Sequence, residues 1–255
     1  MQRAEFIQQL WLDFIHQHPK IGGLRLWAPN APAEYLALLT LNHSDHGMDA
    51  LLPSLEHFGY RIRHRHAMAD RGLLVNLLSP PQEGPWFAVA ELQTGTLPRH
   101  ARALLENLVD LAPQSAHRGP NRLCRGRPWP MPDWDSYQTL YQAHPLAAAL
   151  AINGPRLHHV GYDCQRLGTA LEDLHRGMED AGFAGTADRQ HGLFPISPLI
   201  QYRFYPGGSH PLPFAEGDEH RVETGGVALV QKSVGADQER AVELLLPHHT
   251  RCEIN

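Results

Sequence analysis

The feature that most constrains this chain is a pattern that occurs twice. Leu51 to Tyr60 and Leu171 to Phe183 each read as an amphipathic helix stopped by a glycine and an aromatic residue, Gly59-Tyr60 and Gly182-Phe183. Each helix follows a short apolar strand, YLALLTL (35–41) in one case and RLHHVGYDC (156–164) in the other. After the first helix, RIRHRHA, LLVNLL (73–78) and PWFAVAEL (85–92) read as strands, parted by Asp70-Arg71-Gly72 and Ser79-Pro80-Pro81. After the second come PLIQYRFYP (198–206) and GGVALVQKS (225–233), with turn signals between them. Repetition at a spacing of about 120 residues predicts an α+β fold of two βαβββ modules with extra helices.

The predicted divisions are an N-terminal helix and loop (1–33), a first module (34–112), a linker loop and helix (113–155), and a second module with a tail (156–255). Phe6, Ile7, Leu10, Trp11, Phe14 and Ile15 give the first helix its apolar stripe. Pro53 is expected in the first turn of its helix, where proline is tolerated. Asp133 is placed to cap the helix carrying Trp134, Tyr137, Leu140 and Tyr141.

A net charge of −5 provides no broad basic surface, which argues against nucleic acid as a partner. No apolar run is long enough to span a bilayer. The three cysteines, Cys124, Cys164 and Cys252, are scattered and odd in number, as expected in a reducing, cytoplasmic setting. Sheet edges of this kind leave a homodimer open.

Eighteen histidines are spread over nearly every segment, so position must separate ligands from core residues. His158 and His159 share a strand, where alternation would point one inward and the other outward. An inward imidazole suits a metal, but it equally suits a hydrogen-bonded core. His43-Ser44-Asp45-His46 reads as a turn and helix cap more readily than as a chelate. His64 and His66 alternate with Arg61, Arg63 and Arg65, which would repel a cation. Glu91 ends an apolar strand and could reach into the sheet concavity as a ligand or base. The HHTRCE tail is a weak metal motif, and the chain carries neither a glycine-rich phosphate loop nor a GxSxG elbow.

LWLDFI, LEHFGY, WFAVAEL, and above all GRPWPMPDWDSYQTLYQ running into RLHHVGYDC, resemble the 2-oxoadipate dioxygenase/decarboxylase (2-hydroxyglutarate synthase) family of the vicinal oxygen chelate superfamily. That resemblance implies two βαβββ units forming an incomplete barrel around a divalent metal. It also implies a non-haem Fe(II) centre that uses O2 on a 2-oxo acid and is held by two histidines and a carboxylate. The family's second histidine falls on His159. Its first falls on Tyr35, its substrate-binding arginine on Leu39 and its carboxylate on Ala228, while Gln201 is retained.

Three readings follow. One is a working dioxygenase with a relocated site, using His159 with Tyr35 or Glu91, helped by His43 or His46, and Fe(II) or another divalent metal. Another is a metal-free small-molecule-binding protein or pseudoenzyme, with Leu39, Gln201 and Ala228 lining the ligand pocket. The last is a metal-independent acid/base enzyme using Tyr35, His159 and Glu91.

Overall fold

The computed structural model describes residues 2–113, 122–185 and 200–232. Eight helices and nine strands occur among them: α1 (Arg3–Gln17), α2 (Pro19–Gly22), β1 (Tyr35–Leu41), α3 (Met48–His57), β2 (Arg61–Met68), β3 (Leu73–Ser79), β4 (Trp86–Leu92), α4 (Arg99–Asp110), α5 (Trp134–Ala143), α6 (Pro145–Asn153), β5 (Arg156–Asp163), α7 (Cys164–Leu167), α8 (Leu171–Asp180), β6 (Ile200–Pro206), β7 (Ser209–Pro213), β8 (Glu219–Glu223) and β9 (Gly226–Lys232). None of the described helices is long and apolar enough to cross a membrane.

Seven strands form one curled sheet in the order β2-β3-β4-β1-β5-β9-β6, not closed into a barrel. Each half contributes a parallel pair, β1 with β4 and β5 with β9, and the halves join where β1 runs antiparallel to β5. The two modules expected from the sequence therefore share a sheet. In the first, the whole βαβββ order is present; in the second, residues 186–199, including the start of PLIQYRFYP, lie outside the described residues.

The repeated helix ends have matching hydrogen bonds. Tyr60 N donates to Leu55 O and Gly59 N to Glu56 O; Phe183 N donates to Met178 O and Gly182 N to Glu179 O. Both glycines take positive φ, 86° and 81°, as this helix-terminating motif requires. The helix starts match as well. Met48 N donates to Glu91 Oε2 on β4, and Leu171 N donates to Gln231 Oε1 on β9.

The ladders supply the equivalences between halves. Tyr35 stands opposite Trp86 and Ala37 opposite Ala88, just as His159 stands opposite Gly226 and Gly161 opposite Ala228. Tyr35 and His159 are thus equivalent positions, as are Ala37 and Gly161. Across the join, Tyr35 pairs with Gly161 and Ala37 with His159, so each large side chain faces a small one. A Cβ added at Gly161 would fall 1.9 Å from Tyr35 Cε1, because the ring lies directly on the glycine.

One face of the sheet buries Phe6, Leu10 and Phe14 of α1 with Leu51, Leu55, Leu174 and Met178 of α3 and α8. The other face buries Tyr35, Leu39, Phe204 and Ala228 beneath α4, α5 and α6.

Some expectations need correction. Pro53 is the sixth residue of α3, not a first-turn residue, so that helix forgoes one interior hydrogen bond. α6 was not foreseen, because PLAAALAIN is apolar all round and shows no helical stripe. The β7–β8 hairpin was also missed; Pro211 and Pro213 lowered its strand signal, and it lies outside the main sheet.

Gly161→Ala should destabilise the protein by about 3 kcal/mol in urea unfolding, the scale of overpacking a tight core. Tyr35→Ala in the same chain should recover part of that loss.

Candidate functional site

At the join between halves, Tyr35 Oη lies 3.0 Å from His159 Nε2, and His159 Nδ1 lies 3.1 Å from His158 Nδ1. Tyr35 and His159 are both fully buried. The Phe204 ring stands edge-on to His159 at 5.4 Å between centroids, and Phe204 pairs with Ala228 across β6–β9.

His158 joins the cluster because the strand is irregular. Register shifts between Ala37 and Leu38, whose partners are His159 and Leu157, so His158 is the extra residue of a β-bulge. The bulge overrides the expected alternation of inward and outward histidines and brings both rings beside Phe204. His158 also borders a small cleft lined by Leu39, His18 and Arg156.

Burial sets the protonation of the pair. It pushes the His159 imidazole well below its ordinary pKa, with His158 adding to the effect. It holds the Tyr35 phenol well above its ordinary value, and Tyr202 and Glu34 reinforce this. A neutral histidine therefore meets a protonated tyrosine, and Tyr35 Oη and His159 Nε2 share one hydrogen bond whose direction follows the His159 tautomer.

These residues do not fit the iron centre that the resemblance implies. Both His159 nitrogens are engaged, Ala228 offers no ligand atom, and burial opposes the phenolate form in which Tyr35 would bind ferric iron. Among the described residues, no group of three or more His, Cys, Asp and Glu side chains is placed to hold a metal.

Four of the six residues singled out in the sequence, Tyr35, Leu39, His159 and Ala228, share one face of the sheet. The other two do not. Glu91 points to the helix side, accepting from Met48 N at 2.6 Å and from Gln93 Nε2 at 2.8 Å, so it starts α3 instead of reaching the concavity. Gln201 is exposed and stands beside Gln231, on the side that meets α8. Sequence reasoning missed Phe204 and Tyr202; both alternate with Gln201 on the same strand, and that alternation was the available signal.

Elsewhere, the cap of α3 is Gly47 and not the His43–His46 turn. His43 Nε2 instead lies 3.3 Å from Asp110 Oδ1, and buried His46 packs edge-on against Trp129. His66 is buried on β2, while Arg61, Arg63 and Arg65 carry the solvated face. The HHTRCE tail lies outside the described residues.

No family model matches the chain, and no curated protein matches it. Solved structures do. A protein from Shewanella frigidimarina NCIMB 400 designated a hydrolase superposes with a TM-score of 0.81 at 20% identity, covering 93% of this chain and 95% of its own. A glyoxalase-superfamily protein from Ralstonia eutropha JMP134 gives 0.70 at 13% identity, covering 89% and 82%. These likenesses define the class: the chain has the glyoxalase, or vicinal oxygen chelate, fold. Within it, the hydroxyglutarate synthase of Oryza sativa, solved with 2-oxoadipate, superposes with a TM-score of 0.78 at 18% identity, covering 97% of this chain and 86% of its own. The architecture implied by the sequence resemblance is thus the architecture present, in a divergent form.

Two outcomes are expected. Glu91→Ala should cost about 1 kcal/mol of stability, as loss of a helix-start acceptor does, whereas Glu91→Gln should retain most of it because Gln231 fills the equivalent place in the other half. Stability should also fall on acidification. His159 lies well below 6.5 when folded and His18, buried near His210 and His158, is pushed down to about 3, so the folded state binds fewer protons than the unfolded one. Their contribution is complete above pH 6.5 and declines as pH drops towards those folded values, by about 1.4 kcal/mol per pH unit for each histidine. Urea midpoints between pH 7 and pH 4 should show this slope, and His18→Asn should lower it by one histidine's share.

Proposed function

We propose that this protein is a diverged relative of the 2-oxoadipate dioxygenases in which a neutral His-Tyr cluster has taken over the metal position, and that it works as a metal-free small-molecule-binding protein. The observation that carries this reading is the 3.0 Å contact between Tyr35 Oη and His159 Nε2, with Ala228 at the expected carboxylate position. A 2-oxo acid reacts with O2 on non-haem iron by chelating open positions of a two-histidine, one-carboxylate centre. Here the ligand nitrogen holds a tyrosine, and Leu39 replaces the arginine that would grip the acid. Fe(II) or another divalent metal is therefore not required by this reading.

A second reading, metal-independent acid/base chemistry, is favoured by His158. It borders the cleft with Leu39 and His18 and touches His159, so a proton at the cleft has a hydrogen-bonded path to Tyr35. In that case His158→Gln should abolish turnover while leaving binding intact.

The deciding experiment is metal analysis of protein purified without a histidine tag, followed by oxygen-electrode assays with a panel of 2-oxo acids. The expected result is substoichiometric metal and no oxygen uptake. Stoichiometric iron that disappears in His159→Ala would overturn the proposal.

A further inference from the structure

A second site lies away from the Tyr35–His159 cluster. A cavity of about 170 Å³ opens between the His43–His46 turn, α3 and the loop leading to α5, and is lined by His46, Leu51, Arg122, Arg125, Arg127 and Pro155, among others. Its volume is similar to that of an engineered protein cavity that takes up benzene, so it can hold a small organic molecule.

The chemistry of the lining is one-sided. Three arginines, Arg122, Arg125 and Arg127, line the cavity, and its described lining contains no carboxylate. A fourth stands directly behind, since a Cβ at Gly126 would fall 2.7 Å from Arg156 Nη2. Backbone carbonyls, which carry no compensating charge, hold two of these arginines. Arg122 donates to Ala50 O at 2.7 Å and to Asp45 O; Arg127 donates to Trp129 O at 2.9 Å and to Ile152 O at 2.5 Å. Of the carboxylates nearby, Asp13 pairs with Arg156 at 3.4 Å, and Asp45, exposed at the turn, offsets part of the burial penalty on Arg122. Burial works against the charge on Arg122 and Arg127, and Arg156 adds to this at Arg127. A bound anion would remove that penalty.

Local structure keeps the arrangement in place. Gly154, at φ +73°, packs so closely that an added Cβ would lie 2.6 Å from Arg127 Cα. Arg125, by contrast, is exposed at the rim.

We infer that this cavity binds a small oxyanion, a phosphate or carboxylate group of a compact ligand, gripped by Arg125 and attracted by the positive charge of Arg122 and Arg127, whose guanidiniums the backbone carbonyls hold in place. The inference goes beyond the binding reading by naming a separate site and its ligand class. Because it concerns a different place in the fold, metal found at His159 would defeat that reading and leave this one standing.

Calorimetric titration of the full chain at constant ionic strength tests it, with inorganic phosphate in one arm and glutarate in the other. At least one should bind with a Kd of about 1 mM or tighter, and binding should weaken as salt is raised. Binding of phosphate alone marks a phosphate site and of glutarate alone a carboxylate site; either supports the inference. Arg125→Glu should reduce affinity by about tenfold or more, the scale of losing a charge-assisted hydrogen bond, without lowering Tm. Arg125→Lys should restore part of it. Failure of both anions to bind at about ten times that concentration, or affinity unchanged in Arg125→Glu, would overturn it.

Discussion

The antiparallel join of β1 and β5 is the constraint on which the rest of the structure depends. It turns four strands of the first half and three of the second into one sheet, and it is tight because the Tyr35 ring occupies the space a side chain at position 161 would need. A set of charged side chains, of which Glu34, Asp163 and Lys232 are largely buried, closes one end of the join. Lys232 of β9 contacts Glu34 just before β1 and lies 3.3 Å from Asp163 of β5, while Arg166 reaches Glu34 at 3.0 Å. Such groups are costly to bury singly, so removing one partner would strand the others. Apolar packing on each face and this polar closure at the edge fix the halves in a single register.

That register explains what sits at the centre. In an open curled sheet, side chains on the inner face converge, and here the converging set is Tyr35, His159, Phe204 and Ala228. The bulge at His158 adds a second imidazole that a regular strand would have sent to the other side. The result is a low-dielectric cluster of neutral hydrogen-bonding groups. Charge has been concentrated elsewhere, in the arginines around the loop before α5.

Much of this was legible in the sequence, and the reasons differ by element. The halves were visible because Gly59-Tyr60 and Gly182-Phe183 encode a helix end locally, through backbone conformation. Tyr35, His159 and Ala228 were found together because a resemblance fixed their places on three strands. The bulge was invisible, since register depends on a partner strand more than a hundred residues away. Glu91 misled for a related reason. A carboxylate at the end of an apolar strand looks alike whether it faces a concavity or a helix N-terminus, and only the packing of α3 decides.

The equivalence of Tyr35 and His159 has a consequence for symmetry. The two halves face each other about an approximate two-fold axis, and these side chains touch across it. Were both halves still copies of one ancestral sequence, the contact would set like against like, imidazole on imidazole or phenol on phenol. Two unlike residues give the pair different proton affinities, with the phenol kept protonated and the imidazole kept neutral. A dimer of identical halves would carry the same residue at both positions, so this unlike pair depends on each half having its own sequence.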